Sequence, residues 1–544
     1  MSHELMAPLM FGALVILLLL GYPVAFSLAA NGLLFGWIGI EMGLLKPELL
    51  QAIPERIFGI INNDTLLAIP FFTFMGLILE RSGMAEDLLD TVGELFGPVR
   101  GGLTYAVIIV GAMLAATTGV VAASVISMGL ISLPIMMRYG YDNRLSAGVI
   151  AASGTLAQII PPSLVLIVLA DQMGISIGDM YRGAFVPGFV LTGLYAVFVF
   201  VVSMLAPKAC PALPPTTRRI RERSGHNGLA SLFALLVVSI MAGILFTEGY
   251  YTAESPMDEV IVISSLVGIG FAWSLAAINR LFKIDRHFGF GLFSRLTEKV
   301  VFVMIPPMAL IFLVLGTIFL GIATPTEGGA MGAVGAIALA LLKRRLNWKL
   351  TTQAMDSTAK LTTFVVFILI GARVFSLTFY AVDGDRWVEH LLSNLPGGQL
   401  GFLIVVNLMI FVIAFFLDFF EIAFIMIPLL TPVAQKLGID LVWFGVMLGV
   451  NMQTSFMHPP FGFALFFLRS VAPAAIKTTQ IYAGAIPFVA IQLVMVALIV
   501  AFPGLVTHFA HESAKEVVPA EIPLEQMPIP QYEPELNFDE PKRK

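Results

Sequence analysis

Of the 544 residues in this chain, 58% are hydrophobic and 12% charged, and the mean hydropathy is +0.91. That balance excludes an ordinary soluble domain. Apolar stretches recur at the ~20-residue scale of a bilayer span, which makes the fold class an all-α polytopic membrane protein. A single cysteine, Cys210, excludes an intrachain disulfide framework and a cysteine-rich metal site. The net charge of −5 gives no reason to expect a nucleic-acid partner.

In chain order, the N-terminus "MSHELMAPLMFGALVILLLLGYPVAF" has no basic lead and is followed at once by a second apolar run, so it reads as a first span rather than a cleaved signal. Spans are expected at 6–21, 24–41, 57–79, 145–170, 184–206, 229–247, 259–279, 300–321, 328–342, 360–380, 441–469 and 484–506. Basic segments at Lys208 to Arg223, Arg280 to Lys299 and "KRRLNWK" from Lys343 are placed in the cytoplasm. Acidic segments around Glu248 to Glu259 and from Ala381 are placed outside. The five tryptophans, Trp37, Trp273, Trp348, Trp387 and Trp443, fall near predicted span ends, as an interfacial belt requires.

Two regions do not fit simple spans. Residues 101–137 carry no charge, and their polar break is "TTG" at Thr117 to Gly119. Between Gly401 and Lys436 the only charges before the lysine belong to "LDFFE" at Leu417 to Glu421. Each reads as a re-entrant helical hairpin, and charge and span counting place the two on opposite faces. Pro134, Gly140, Pro161 and Pro162 match Pro432, Gly438, Pro459 and Pro460 at a constant offset of 298 residues. "YRGAFVP" at Tyr181 resembles "YAGAIP" at Tyr482 once short gaps are allowed. Inverted repeats with helices interrupted at corresponding points are the architecture of secondary transporters.

The proline pairs remove amide donors and clash with the preceding turn, freeing backbone carbonyls inside a span. Such carbonyls persist only when buried in protein or bound, and a small hard cation such as Na⁺ suits them. Neighbouring oxygen donors in the first half are Ser153, Gly154, Thr155, Gln158 and Ser163, facing Thr117, Thr118 and Gly119. In the second half they are Asn451, Gln453, Thr454, Ser455 and Gly462, facing Asp418. A carboxylate deep in a span costs roughly 2.5–3.5 kcal/mol and marks Asp418 as an ion-pathway candidate; Glu421 is either its neighbour or a water-facing group. His458 admits proton coupling or a neutral, hydrogen-bonded role. The "TPTEGGAMGAVGA" run from Thr324 reads as a close-packed helix with Glu327 at its N-terminus. Metal-ligand histidine pairs, a phosphate loop and a nucleophile elbow are not found, so neither an enzyme nor an ATP-driven pump is expected and no cofactor beyond a coupling Na⁺ is called for.

Five stretches carry a family resemblance: "LLAIPFFTFMG" at Leu66, "TTGVVAASVISMGLISLP" at Thr117, "ASGTLAQIIPPSLVLIVLAD" at Ala152, "GIATPTEGGA" at Gly321 and "NMQTSFMHPPFGFALFFLR" at Asn451. The chain resembles the large membrane subunit of tripartite ATP-independent periplasmic (TRAP) transporters over about residues 6 to 506. The resemblance implies an elevator-type carrier in the bacterial inner membrane and sodium symport of a small organic acid. Its implied partners are a soluble periplasmic binding protein, which delivers the substrate, and a small four-helix membrane subunit. Carried onto this sequence, sodium site 1 uses Thr117, Thr118, Gly119, Gly154 and Pro161, and sodium site 2 uses Asp418, Asn451, Thr454 and Pro459. Ser153, Gln158, Ser163, Gln453, Ser455 and Gly462 are substrate-adjacent candidates. Ala157 stands where the family commonly has glycine, and His458 where it often has threonine.

The corresponding division is N-terminal scaffold 1–56, a first transport region 57–183 with hairpin 101–137, scaffold 184–320 with an additional helix pair at 229–279, and second-repeat helices 321–400. A second transport region 401–483 with hairpin 401–436, a last span 484–510 and a polar, disordered tail 511–544 follow. The N-terminus and tail are expected on the periplasmic side. The additional pair resembles a longer branch of the family and extends the scaffold, replaces some contact with the small subunit, or is plain structural decoration. Two rival readings are a stand-alone sodium and organic anion symporter and an intramembrane hydrolase using Asp418 and Glu421.

Overall fold

The computed structural model describes residues 3–214, 229–251, 257–282, 293–393, 395–460 and 462–510, and every regular element among them is helical. Arg218 to Arg223 and the tail from residue 511 lie outside the described residues. Nine described helices are long and apolar enough to cross a bilayer, or up to 12 if each bent pair forms one span.

The chain opens with α1 (His3–Leu19), α2 (Val24–Glu41), the short α3 (Glu48–Gln51) and α4 (Ile53–Ile61), then α5 (Ala68–Arg81) and α6 (Met84–Phe96). The single span expected at 57–79 is instead bent by 48° between α4 and the segment from Asp64 to Arg81. Asn63 supplies the local reason, its side chain accepting from Thr65 N at 3.0 Å and donating to Asp171 Oδ1 at 2.7 Å. Helices α7 (Gly102–Thr118) and α8 (Val121–Arg138) form the first hairpin, turning at Gly119 with φ +57°. Then come α9 (Asn143–Thr155), α10 (Leu164–Met173) and α11 (Ile177–Leu205).

The expected additional pair is α12 (Leu229–Tyr250) and α13 (Met257–Phe282), which packs against α14 (Arg295–Phe319). A Cβ on Gly316 would lie 2.6 Å from Val262 Cγ1, and Ser231 meets Thr297 at 2.7 Å. In α15 (Pro325–Leu342) the glycine stripe does pack closely: Gly329 faces Phe71 and Gly332 faces Met75 on α5. Glu327 closes a capping box with Thr324 at the start of this helix. Next are α16 (Trp348–Ala381), packed along α2, and the amphipathic α17 (Gly384–Ser393). The second hairpin runs from α18 (Gly398–Ile413) to α19 (Phe419–Ile425) and α20 (Ile427–Lys436), with its base tied by Gln399 Nε2 donating to Leu437 O at 2.6 Å. Its returning arm bends by 52° between α19 and α20. The chain continues through α21 (Leu441–Gln453), α22 (Phe463–Val471), α23 (Thr478–Ala501) and α24 (Gly504–Ala510).

The 298-residue offset read from the prolines extends to element boundaries. Asn143–Thr155 maps onto Leu441–Gln453, and the 3₁₀ turn Leu156–Gln158 onto Thr454–Phe456. Asp142 caps α9 by accepting from Arg144 N at 2.7 Å, and Asp440 caps α21 by accepting from Trp443 N at 2.7 Å. Gly140 and Gly438, just before these caps, both adopt positive φ, which glycine accommodates without a Cβ penalty. Both proline pairs are joined by cis peptides.

Beneath the first hairpin, Gly101 N donates to Cys210 O at 2.9 Å and Asp142 N to Ala209 O at 2.8 Å, so the segment after α11 straps the hairpin base. Tyr141 OH accepts from Leu103 N at 3.3 Å, satisfying a donor in the first turn of α7, and burial pushes its phenol up to about 12. Lys299 pairs with Glu94 at 3.1 Å, and Lys343 and Arg345 pair with Asp87 at 3.3 and 3.1 Å, joining α6 to α14 and to the end of α15. Cys210 is fully buried; burial raises its thiol pKa, with Arg100 opposing. Less thiolate then exists at neutral pH, and access is restricted. Maleimide labelling at pH 7 is expected to run about tenfold or more slower in the folded protein than after unfolding in SDS, read by mass spectrometry.

Candidate functional site: two breaks and two hairpin tips

Each break places apolar helix on either side of a short non-helical segment, and its backbone is held from outside. Tyr181 OH donates to Ser163 O at 3.4 Å, and Tyr482 OH donates to Pro460 O at 3.3 Å. The two tyrosines head the paired motifs noted in the sequence, so the repeat extends to how each severed segment is supported.

At the first break, a Cβ on Gly119 would lie 3.4 Å from Pro162 O, which puts the hairpin tip against the proline pair. Gly154 lets α9 meet α8, since a Cβ there would fall 2.3 Å from Val125 Cγ2. Thr117 Oγ1 donates to Leu114 O at 2.9 Å and Ser163 Oγ to Gln158 O at 2.5 Å. Thr118 ends α7 beside Gly119. Pro161, Pro162, Ser153, Gly154, Gln158 and Ser163 are all buried.

The second break has the same plan with different detail. Asn451 Nδ2 donates to Asn407 O at 2.8 Å and to Asn407 Oδ1 at 2.9 Å, linking α21 to the first arm of its hairpin. Thr454 Oγ1 donates to Asn451 O at 2.7 Å. Gly462 is hemmed in by backbone, with Phe456 O 2.6 Å from a would-be Cβ. His458 is buried, stacked on Phe415 with ring centroids 4.1 Å apart and edge-on to Phe411 at 4.5 Å, so the hairpin tip rests on the residue before Pro459. Asp418 and Glu421 form a capping box on α19: Glu421 N donates to Asp418 Oδ1 and Asp418 N to Glu421 Oε2, both at 2.9 Å. The equivalent start of α8 at Val120 has no side-chain cap.

Five of the buried side-chain oxygens with no hydrogen-bond partner lie on or beside these segments, Ser153 Oγ, Gln158 Oε1, Asn451 Oδ1, Gln453 Oε1 and Ser455 Oγ, while others, such as Asn31 Oδ1, Thr73 Oγ1 and Ser239 Oγ, lie elsewhere in the helices. All five residues were named from the sequence. A buried oxygen left unpaired is costly and asks for a ligand or ordered water. The unpaired atoms here are hydroxyl and carboxamide oxygens, donors that suit a hard cation better than a soft transition metal.

The sequence reading missed the residues that reach the breaks from distant elements. Gln492 on α23 and Tyr195 on α11 form a buried network with Thr155 and Gln453; Asn407, Phe411 and Phe415 support the second break. A buried glutamine in the apolar run of α23 was the available signal for Gln492. Nothing in one sequence pairs it with Thr155.

Residues 11–505 match the family described as "Tripartite ATP-independent periplasmic transporter, DctM component". The chain is 27% identical to the C4-dicarboxylate TRAP transporter large permease protein DctM of Rhodobacter capsulatus, covering 92% of this chain and 97% of that protein. It is 26% identical to the protein of the same name from Pseudomonas aeruginosa, covering 85% and 90%. It is 23% identical to the 2,3-diketo-L-gulonate TRAP transporter large permease protein YiaN of Escherichia coli, covering 92% and 98%. Among solved structures it is similar to the Alcanivorax borkumensis YdaH transporter at a TM-score of 0.48 and 14% identity, over 85% of this chain and 90% of that one, a likeness too weak to add to the assignment. With a match along almost its whole length, the chain belongs to the DctM-component family and is a multi-pass TRAP transporter large permease.

Proposed function

We propose that this permease imports a small organic acid together with sodium, holding the ions at the two breaks. The observation that carries the reading is the set of unpaired, buried oxygens at both severed segments, each facing a hairpin tip. Site 1 comprises the Thr117 to Gly119 tip, Gly154 and Pro161; site 2 comprises Asp418, Asn451, Thr454 and Pro459. Ser153, Gln158, Ser163, Gln453, Ser455 and Gly462 border the substrate. Asp418 serves site 2 through its charge while one of its oxygens caps α19.

The energetics favour symport. Moving one negative charge inward against 100 mV costs about 2.3 kcal/mol, and each accompanying Na⁺ returns about as much before its concentration gradient is counted. The hairpins enter the inner membrane from opposite faces as re-entrant loops, and the regions 57–183 and 401–483 move as an elevator against the remaining helices. A soluble binding protein delivers the acid from the periplasm, and a small four-helix subunit flanks the scaffold. The names of relatives that specify C4-dicarboxylate, 2,3-diketo-L-gulonate, isethionate or sialic acid support reading the substrate as a small organic acid.

The test is reconstitution with the small subunit and candidate binding proteins, measuring uptake of labelled keto, hydroxy and aromatic acids. Uptake that follows an inward sodium gradient and ceases in potassium is expected. Equal flux in potassium refutes sodium coupling, and robust uptake by the permease alone favours the stand-alone symporter.

A further inference from the structure

We propose that Thr155 and Gln453 form a link through which a cation at one break alters affinity at the other. The inference rests on the sodium reading above. The two residues occupy equivalent positions in the repeats, 298 apart, and each is the last residue of its helix before the break. Gln453 Nε2 donates to Thr155 Oγ1 at 3.0 Å, and that hydroxyl donates back to Ala152 O at 2.8 Å. The severed helices therefore touch each other directly through a polar contact at the point where each begins to unwind.

The contact is buttressed. Gln492 Nε2 donates to Tyr195 OH at 3.0 Å and lies 3.4 Å from Thr155 Oγ1, and all four side chains are fully buried. In such surroundings a hydrogen bond is directional and not exchanged for water, so displacement of one helix end is felt at the other. The arrangement also leaves Gln453 Oε1 and Gln492 Oε1 without partners. Segment 156–163 starts beside Thr155 and segment 454–462 beside Gln453, so a change in either segment's first turn reaches the other through one bond. Coupling between sites is reciprocal and commonly amounts to roughly 5–150-fold in affinity.

Equilibrium binding of ²²Na⁺ to the purified full chain tests this without knowledge of the substrate. The wild type is expected to bind two ions with a Hill coefficient well above one. Thr155→Val, which keeps the shape and removes the hydroxyl, is expected to bind the same number of ions with a coefficient near one, while Thr155→Ser matches the wild type. Should Thr155→Val fail to fold, Thr155→Ala, which also removes the hydroxyl that accepts from Gln453 Nε2, is read in its place, with the same expectation. A wild type that binds cooperatively together with a variant whose curve superimposes on it overturns the link, as does non-cooperative binding of two ions by the wild type. Absence of saturable sodium binding to the wild type instead overturns the sodium reading on which the link depends.

Discussion

Gly148→Ala is expected to cripple the fold of the permease. On α9 a Cβ at this position would lie 2.1 Å from Gly484 O on α23, and a Cβ on Gly484 would lie 2.1 Å from Arg144 O. These are backbone atoms of two helices crossing at their closest approach, so neither rotamer change nor side-chain flexing relieves the clash. Carbon and oxygen need ~3.3 Å or more, and separating the helices strips contacts from the severed helix that carries Ser153, Gly154 and Thr155. Overpacking inside a well-filled core costs about 1–3 kcal/mol, and a clash with backbone belongs at or beyond the top of that range. Thermal unfolding of the detergent-purified protein, followed by tryptophan fluorescence, is the measurement. Gly193→Ala, inside α11 with nothing within 4 Å of the added methyl, is the matched control and is expected to leave the midpoint unchanged or raise it slightly.

Asp418→Asn separates two roles that the geometry superimposes. Asparagine caps a helix about as well as aspartate, so stability is expected to change little, whereas Asp418→Ala, which loses the cap, costs about 1 kcal/mol. If the carboxylate charge also serves a cation, the asparagine variant raises the sodium concentration for half-maximal uptake by about tenfold or more, equivalent to ~1.4 kcal/mol. Sodium titrations of reconstituted uptake read this out. An unchanged titration in Asp418→Asn with a destabilised Asp418→Ala assigns Asp418 to the helix cap alone.

The breaks were legible in the sequence because prolines act locally: Pro161-Pro162 and Pro459-Pro460 cannot sit in a continuous helix whatever surrounds them, and the hairpins were legible because each long uncharged run has a single polar interruption at its middle. The offset of 298 was equally visible, since Gly140 and Gly438 recur for a backbone reason. The same scan passed over α6 and α17, because amphipathic helices of 13 and 10 residues with charged faces carry no 20-residue apolar signal. The bend at Asn63 depends on Asp171, more than 100 residues away, and was invisible for that reason. The packing of His458 against Phe411 and Phe415 could not be read from the sequence, because those rings come from the facing hairpin more than 40 residues away. Asp418 stood out by its cost in an apolar run, but its capping box with Glu421 emerges only when α19 is seen to start there.

The most direct test is a pair of density maps of the purified transporter, one at saturating sodium and one in potassium. Cation capture at the breaks predicts two difference peaks in sodium, one enclosed by the Gly119 tip and the Pro161-Pro162 segment, the other by the Asp418 tip and the Pro459-Pro460 segment. Maps that are identical at both places would contradict it.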